Sequence, residues 1–263
     1  MTNCYALTLA GRLKAMGQSK YQTDGDPRTS GPGFGVTLHP DALLEPLRWR
    51  KPRKVFVDSM ADLLHARVPT AFVAQVWAVM ALTPQHAYQV LTKRPERYEK
   101  VLDGPCGCGG GHLPGIHFRS LVQDHTRRLA PGHQVDLMRQ WPLANVWLGT
   151  SIERDDYVRR ADALRTAPAT TRFLSLEPLL GPLPSLDLEG IDWVIVGAES
   201  GPGYRPLDPD WVRDIRDRCI ALGTPFFFKQ WGGRTPKEGG RTLDGRTWDE
   251  LPEAPTYQPA PTC

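Results

Sequence analysis

Short apolar runs rich in β-branched and aromatic residues recur along this chain, and amphipathic stretches separate several of them. That alternation constrains the fold more than any other feature. The runs cover residues 36–39, 55–58, 88–91, 146–149, 172–176, 193–197 and 226–228. Each is nearly continuous in apolar character, as strands buried on both faces of a parallel sheet are. Between them, Val73, Val76, Trp77 and Met80 repeat at helical spacing behind Pro69, the residue type that suits a first turn. Tyr157, Ala161 and Leu164 form a second stripe. A third helix is the best marked, with Asp208 as N-cap, Pro209 in first position, Val212, Ile215, Cys219 and Leu222 as its stripe, and Gly223 as its stop. An amphipathic segment from about residue 3 to residue 16 opens the chain.

Repeated β/α units predict a parallel sheet, closed or partly closed, in a TIM-like α/β barrel. Seven strand candidates are present. An eighth, upstream of the opening helix, would complete the barrel, and the sequence as written begins inside that unit. A doubly wound open parallel sheet is the alternative. The expected organisation is one barrel-like domain over residues 1–252, with a Gly-rich insert at about 104–140 and a disordered tail at 253–263. An apolar content of 40% can supply a sizeable core. Glycine and proline, 25 of each, imply many turns and argue against a helical bundle.

Several classes fall away. No apolar run approaches the ~18 residues of a membrane span, and residues 1–10 lack the charged and apolar regions of a secretory signal. Five cysteines are too few and too scattered for a disulfide scaffold. A cytoplasmic protein with reduced thiols is expected. The net charge, 32 basic residues against 29 acidic, is +3, which neither requires nor excludes nucleic acid.

In barrels and wound sheets, chemistry gathers beyond the carboxyl ends of the strands. The residues there are Asp58, Ser59 and Asp62, then Thr92, Lys93 and Arg94. Next come Thr150, Ser151 and Glu153, then Glu177 and Pro178, then Glu199 and Ser200, and finally Lys229, Gln230 and Trp231. Glu177, Glu199 and Lys229 follow buried runs directly, where a charge is costly unless paired. A cavity of mixed sign is therefore expected, suited to a polar, zwitterionic ligand, although solvated rims would give the same residue types. The glycine-rich segment 197–203 reads equally as a ligand loop or a tight turn. It is neither a Walker loop nor a full dinucleotide fingerprint.

Two other stretches carry chemistry. Arg48, Arg50, Lys51, Arg53 and Lys54 surround Trp49 in a basic run that could contact phosphates and stack a base, or simply be a solvated connection. Cys106 and Cys108, with His112 and His117, are zinc candidates at tighter than usual spacing. A flexible turn is the other reading.

Longer motifs then join these fragments. Asn3-Cys4-Tyr5-Ala6 and the segments 47–63, 89–97, 145–153, 173–179, 193–201 and 225–232 resemble the phage-associated gene-product thirty-seven/sixty-eight family, a domain of unknown function. The resemblance covers almost the whole chain, to about residue 252. Members of that family look like radical S-adenosylmethionine (SAM) enzymes. It therefore implies SAM and a four-iron four-sulfur cluster held by three thiolates, the last two in Cys-x-x-Cys-Tyr-Ala. Cys4 matches the last of the three. Met1 stands where the preceding cysteine belongs, so this sequence supplies an incomplete set, and a start placed too late is one expected reason and loss of the cofactor another. The expected function is a radical SAM-like protein modifying or repairing nucleic acid or a nucleotide. On position, Glu153, Glu177, Glu199 and Lys229 are assigned to catalysis, and Asp58, Lys93, Arg94, Ser200 and Gln230 to substrate binding. The alternatives are a cluster-free barrel that binds nucleic acid or a partner, and a carboxylate- or metal-dependent lyase.

Overall fold

The structure is a computed structural model and describes residues 4–57, 59–105, 109–133, 135–235 and 237–253. Its centre is one six-stranded sheet, β1 (Lys54–Val57), β2 (Ala87–Thr92), β3 (Val146–Ser151), β4 (Thr171–Leu176), β5 (Trp193–Gly197) and β6 (Phe226–Gln230). The strands lie side by side in sequence order, all parallel. Order without reversal is that of a barrel. Edges β1 and β6 do not pair with each other, as in an open sheet, so the sheet is a curled half-barrel. A mixed α/β fold around a parallel sheet is common to both sequence expectations.

Among the described residues, seven α-helices accompany the sheet: α1 (Tyr5–Ala15), α2 (Pro40–Leu43), α3 (Thr70–Leu82), α4 (Glu96–Tyr98), α5 (Ile116–Leu129), α6 (Arg159–Arg165) and α7 (Pro209–Leu222). The helix signals read from sequence operate as expected in α7. The Asp208 carboxylate accepts a hydrogen bond from Asp210 N at 2.9 Å, Pro209 begins the helix, and Gly223 ends it at φ 69°. Cys219 lies wholly buried on its stripe, and burial pushes the thiol up to about 12. Among the described residues, no helix is long and apolar enough to cross a membrane.

One expected strand is absent. Residues 36–39 form a surface connection in which Leu38 is exposed, and Pro40 immediately starts α2. The run has β-branched character but neither a ladder partner nor a buried face, which strand formation requires more than propensity. A small hairpin, β7 (Thr242–Leu243) with β8 (Arg246–Thr247), is present that the reading above does not contain. Asp244 and Gly245 make its two-residue turn, both at positive φ, the pairing that favours a type I′ turn. The Asp244 carboxylate docks on α7 through Arg213 and Arg216, which hold its pKa down at about 2.

Strand residues alternate between two apolar layers. Val90, Leu148, Leu174, Leu176, Val194, Val196, Phe226 and Phe228 join the helices in the main core. The opposite face carries a second cluster, Trp147, Phe173, Trp193 and Ile195, with Leu91 and Phe227 against it. Its rings meet at angles, Trp147 and Trp193 at 5.9 Å and 82°, Trp193 and Phe227 at 6.0 Å and 80°, the edge-to-face geometry that aromatic quadrupoles favour. Gly149 makes this possible, because a Cβ there would sit 2.5 Å from two Phe173 ring carbons. These aromatics form the floor beneath the carboxyl ends of the strands.

Candidate functional site

Moving one step along each strand from that floor, the same face turns polar. Period-two alternation places Ser175 and Glu177 on the side of Phe173, and Lys229 on the side of Phe227. Glu177 Oε2 accepts from Ser175 Oγ at 3.3 Å and from Lys229 Nζ at 3.3 Å. Its Oε1 lies 3.2 Å from Lys229 Nζ without hydrogen-bond alignment, and this buried oxygen accepts no hydrogen bond. The carboxylate occupies a notch in the neighbouring strand, where a Cβ on Gly197 would come within 2.5 Å of Oε1. The absence of a side chain at Gly197 thus gives Glu177 its place.

The start of α1 reaches the same end of the sheet at β1. Tyr5 OH donates to Ser59 O at 2.5 Å, just beyond β1. Its phenol is pushed up from the ordinary value by burial first, then by Cys4 and Glu177. The half-buried Cys4 immediately precedes Tyr5 at the start of α1. On the other flank, the Ser200 hydroxyl is buried and accepts or donates no hydrogen bond, while its backbone bridges Gly233. Glu177 Oε1, ion-paired but without a hydrogen bond, and the buried Ser200 hydroxyl thus keep hydrogen-bonding capacity at the mouth beyond the strand ends, above an apolar floor.

The other carboxylates are held more fully. Glu153, 7% exposed, takes Lys93 Nζ on Oε1 and Arg160 Nη1 on Oε2, the latter at 3.1 Å. Arg160 also donates to Ser151 O at 2.8 Å. Glu199, 8% exposed, accepts Arg205 Nη2 at 2.7 Å on Oε1, and both Nε and the backbone N of Arg205 at 3.0 Å on Oε2. Both oxygens of each group are bound by cations, which suits holding loops better than moving protons. Gln230 donates to Ala198 O at 3.2 Å and belongs to the β5–β6 junction. Arg94 is tied to Asp62 at 2.5 Å, and Asp62 also accepts from Thr92 Oγ1 at 2.8 Å.

A family model described as a protein of unknown function (DUF5131) matches residues 1–252. The chain belongs to that family. No curated protein and no solved structure matches it.

The DUF5131 fold separates the remaining candidates in space. Arg48, Arg50, Lys51, Arg53 and Lys54 lie where the chain enters β1, at the end of the sheet opposite the mouth. Arg53 stacks its guanidinium 4.7 Å above the Trp49 ring, and Trp49 meets His86 edge-on at 5.5 Å. The aromatic inside the basic run is thereby engaged within the fold. His112 and His117 stack at 5.6 Å. Asp58, Cys106 and Cys108 lie outside the described residues, and among the described residues no group of three or more His, Cys, Asp or Glu side chains could hold a metal ion.

Sequence reasoning does not single out Arg160, Arg205 or Ser175, the groups that fix the carboxylates. Ser175 has a usable signal, since it alternates with Leu174 and Leu176 on the same face as Glu177. Arg160 and Arg205 have none before the loops are placed.

Proposed function

We propose that the DUF5131 mouth binds SAM or a ligand of the same chemistry, and that the chain is a radical-SAM-like protein acting on nucleic acid or a nucleotide. Glu177 Oε1 carries this reading, as a buried carboxylate oxygen without a hydrogen bond in the Gly197 notch. Lys229 Nζ at 3.2 Å offsets its charge, and a ligand that donates to Oε1 adds the hydrogen bond it lacks. An α-ammonium group suits it by charge. Lys229 beside it complements a ligand carboxylate, the Ser200 hydroxyl offers both a donor and an acceptor, and the apolar layer below excludes water. Residues of both signs within one mouth match a zwitterion better than a simple anion.

The cluster is a separate matter. A four-iron four-sulfur cluster is held by several thiolates, and among the described residues the free cysteines are Cys4, at the start of α1, and Cys219, buried in α7. These residues do not suffice to hold it, and every role assigned here is a binding role. A cluster-free binding barrel is the second reading, favoured by Cys4 and Cys219 being the free cysteines among the described residues. It keeps the barrel and uses Arg48 to Lys54 and Lys93-Arg94 to hold nucleic acid or a partner, without redox chemistry.

Isothermal titration with SAM tests the first reading. The unaltered chain is expected to bind, and Glu177→Gln to bind about tenfold more weakly or worse, the scale of one charge-assisted hydrogen bond. Absence of binding by the unaltered chain, or equal binding by Glu177→Gln, contradicts the proposal.

A further inference from the structure

A cluster of cations at the β1–β2 corner of the mouth is not used by the ligand site around Glu177. After β1 the chain turns through Asp62 and His65, and after β2 it turns through Arg94 into α4. Asp62 organises both turns. Its Oδ1 accepts from Leu64 N at 3.0 Å and Thr92 Oγ1 at 2.8 Å, and its Oδ2 from Arg94 Nη1. Both carboxylate oxygens are thereby occupied in holding the corner.

Asp62 is bound to Arg94 and to the turn of His65, Arg67 N is bound to His65 and Arg97 N to Arg94 O. Neither Arg67 nor Arg97 forms an ion pair among the described residues, and Arg97 Nε is buried without a hydrogen bond. Glu96, on the same turn as Arg97, is exposed. His65 Nδ1 accepts from Arg67 N at 3.1 Å, which places the ring proton of the neutral imidazole on Nε2 as a donor. Burial first, then the charges of Arg94, Arg67 and Arg97, hold the His65 pKa below its ordinary value, against an opposing effect of Asp62. Three guanidinium groups thus act on one ring, with one carboxylate among them. Lys93, next in the chain, is committed to Glu153.

We propose that this corner is a phosphate-binding subsite, with Arg67, Arg97 and His65 Nε2 as donors and Arg94 as a cation fixed by Asp62. Guanidinium forks match phosphate oxygens geometrically, and a dianion or diester satisfies the unmatched Arg97 Nε and offsets the mutual repulsion of the cations. The phosphate is that of a nucleotide or of a nucleic-acid strand. The proposal rests on the reading above only in that the mouth acts on the molecule carrying this phosphate.

Fluorescence anisotropy with labelled single-stranded DNA, and competition by a 5′-mononucleotide and by the matching nucleoside, tests it. Arg67→Gln, at an exposed position, and Arg97→Lys, which keeps the charge but loses the fork, are expected to weaken binding about tenfold. Arg67→Gln is also expected to reduce the dependence of log K on log salt by about 0.7. Arg50→Gln, at the far end of the sheet, is expected to leave binding unchanged. Strong competition by the mononucleotide assigns the phosphate to a free nucleotide, and tight DNA binding with weak competition assigns it to a strand. Equal competition by the nucleoside, unchanged binding in both corner variants, loss in Arg50→Gln, or no binding of any probe overturns the proposal. SAM titration of the same variants separates the two claims, because Arg67→Gln is expected to bind SAM normally.

Discussion

Phe173→Ala is expected to destabilise the chain by about 3–5 kcal/mol, the range for truncating a large buried aromatic. Phe173 is fully buried and packs against Trp193 at 5.8 Å on the face of the sheet opposite the main core. Its loss opens a cavity between Trp147 and Trp193 that the rigid strands cannot collapse, because each backbone is fixed by ladders on both sides. Filling the same place from beneath is also costly. Gly149→Ala drives a methyl group into the Phe173 ring, and overpacking of this kind costs about 1–3 kcal/mol. Urea denaturation of the two variants checks both values. A loss below about 1 kcal/mol for Phe173→Ala would mean that this layer is not a packed floor.

Gly197→Ala is expected to do the opposite, leaving stability within about 1 kcal/mol of the unaltered chain and weakening SAM binding about tenfold or more. Gly197 has an ordinary backbone conformation, since it is absent from the glycines at positive φ, so alanine brings no backbone strain. The new Cβ meets the carboxylate end of Glu177, a flexible group that can swing aside. Swinging aside removes the buried acceptor from the mouth. Thermal melting and isothermal titration on the same preparation separate the two effects. A large drop in melting temperature, or unchanged affinity, contradicts the notch as the determinant of the site.

The sheet was legible because β2 to β6 bury apolar residues and β1 packs Val55 and Val57 partly buried against the core, and such packing leaves an apolar run that sequence alone displays. Residues 36–39 show the limit, since a β-branched run with no neighbour to pair with carries the same letters. The hairpin around Asp244 and Gly245 had a signal in its Asp-Gly turn, but strands of two residues give no periodicity. Among the site residues, position just past an apolar run was readable for Glu153, Glu177, Glu199 and Lys229, although Lys229 lies inside β6 rather than beyond it. Their partners were not. Lys93 reaches Glu153 across 60 residues, and Lys229 reaches Glu177 across 52. Such pairings follow from the order in which strands lie, not from local spacing. The same fact separates the basic run before β1 from the mouth, because a strand's two ends are adjacent in sequence and opposite in space.

Hydrogen exchange measured with and without SAM tests the central claim most directly. The account predicts slowed exchange of backbone amides where β4, β5 and β6 end, around Glu177, Gly197 to Ser200 and Lys229, together with the first turn of α1 at Tyr5. Protection confined to the opposite end of the sheet, around Arg48 to Lys54, would contradict it.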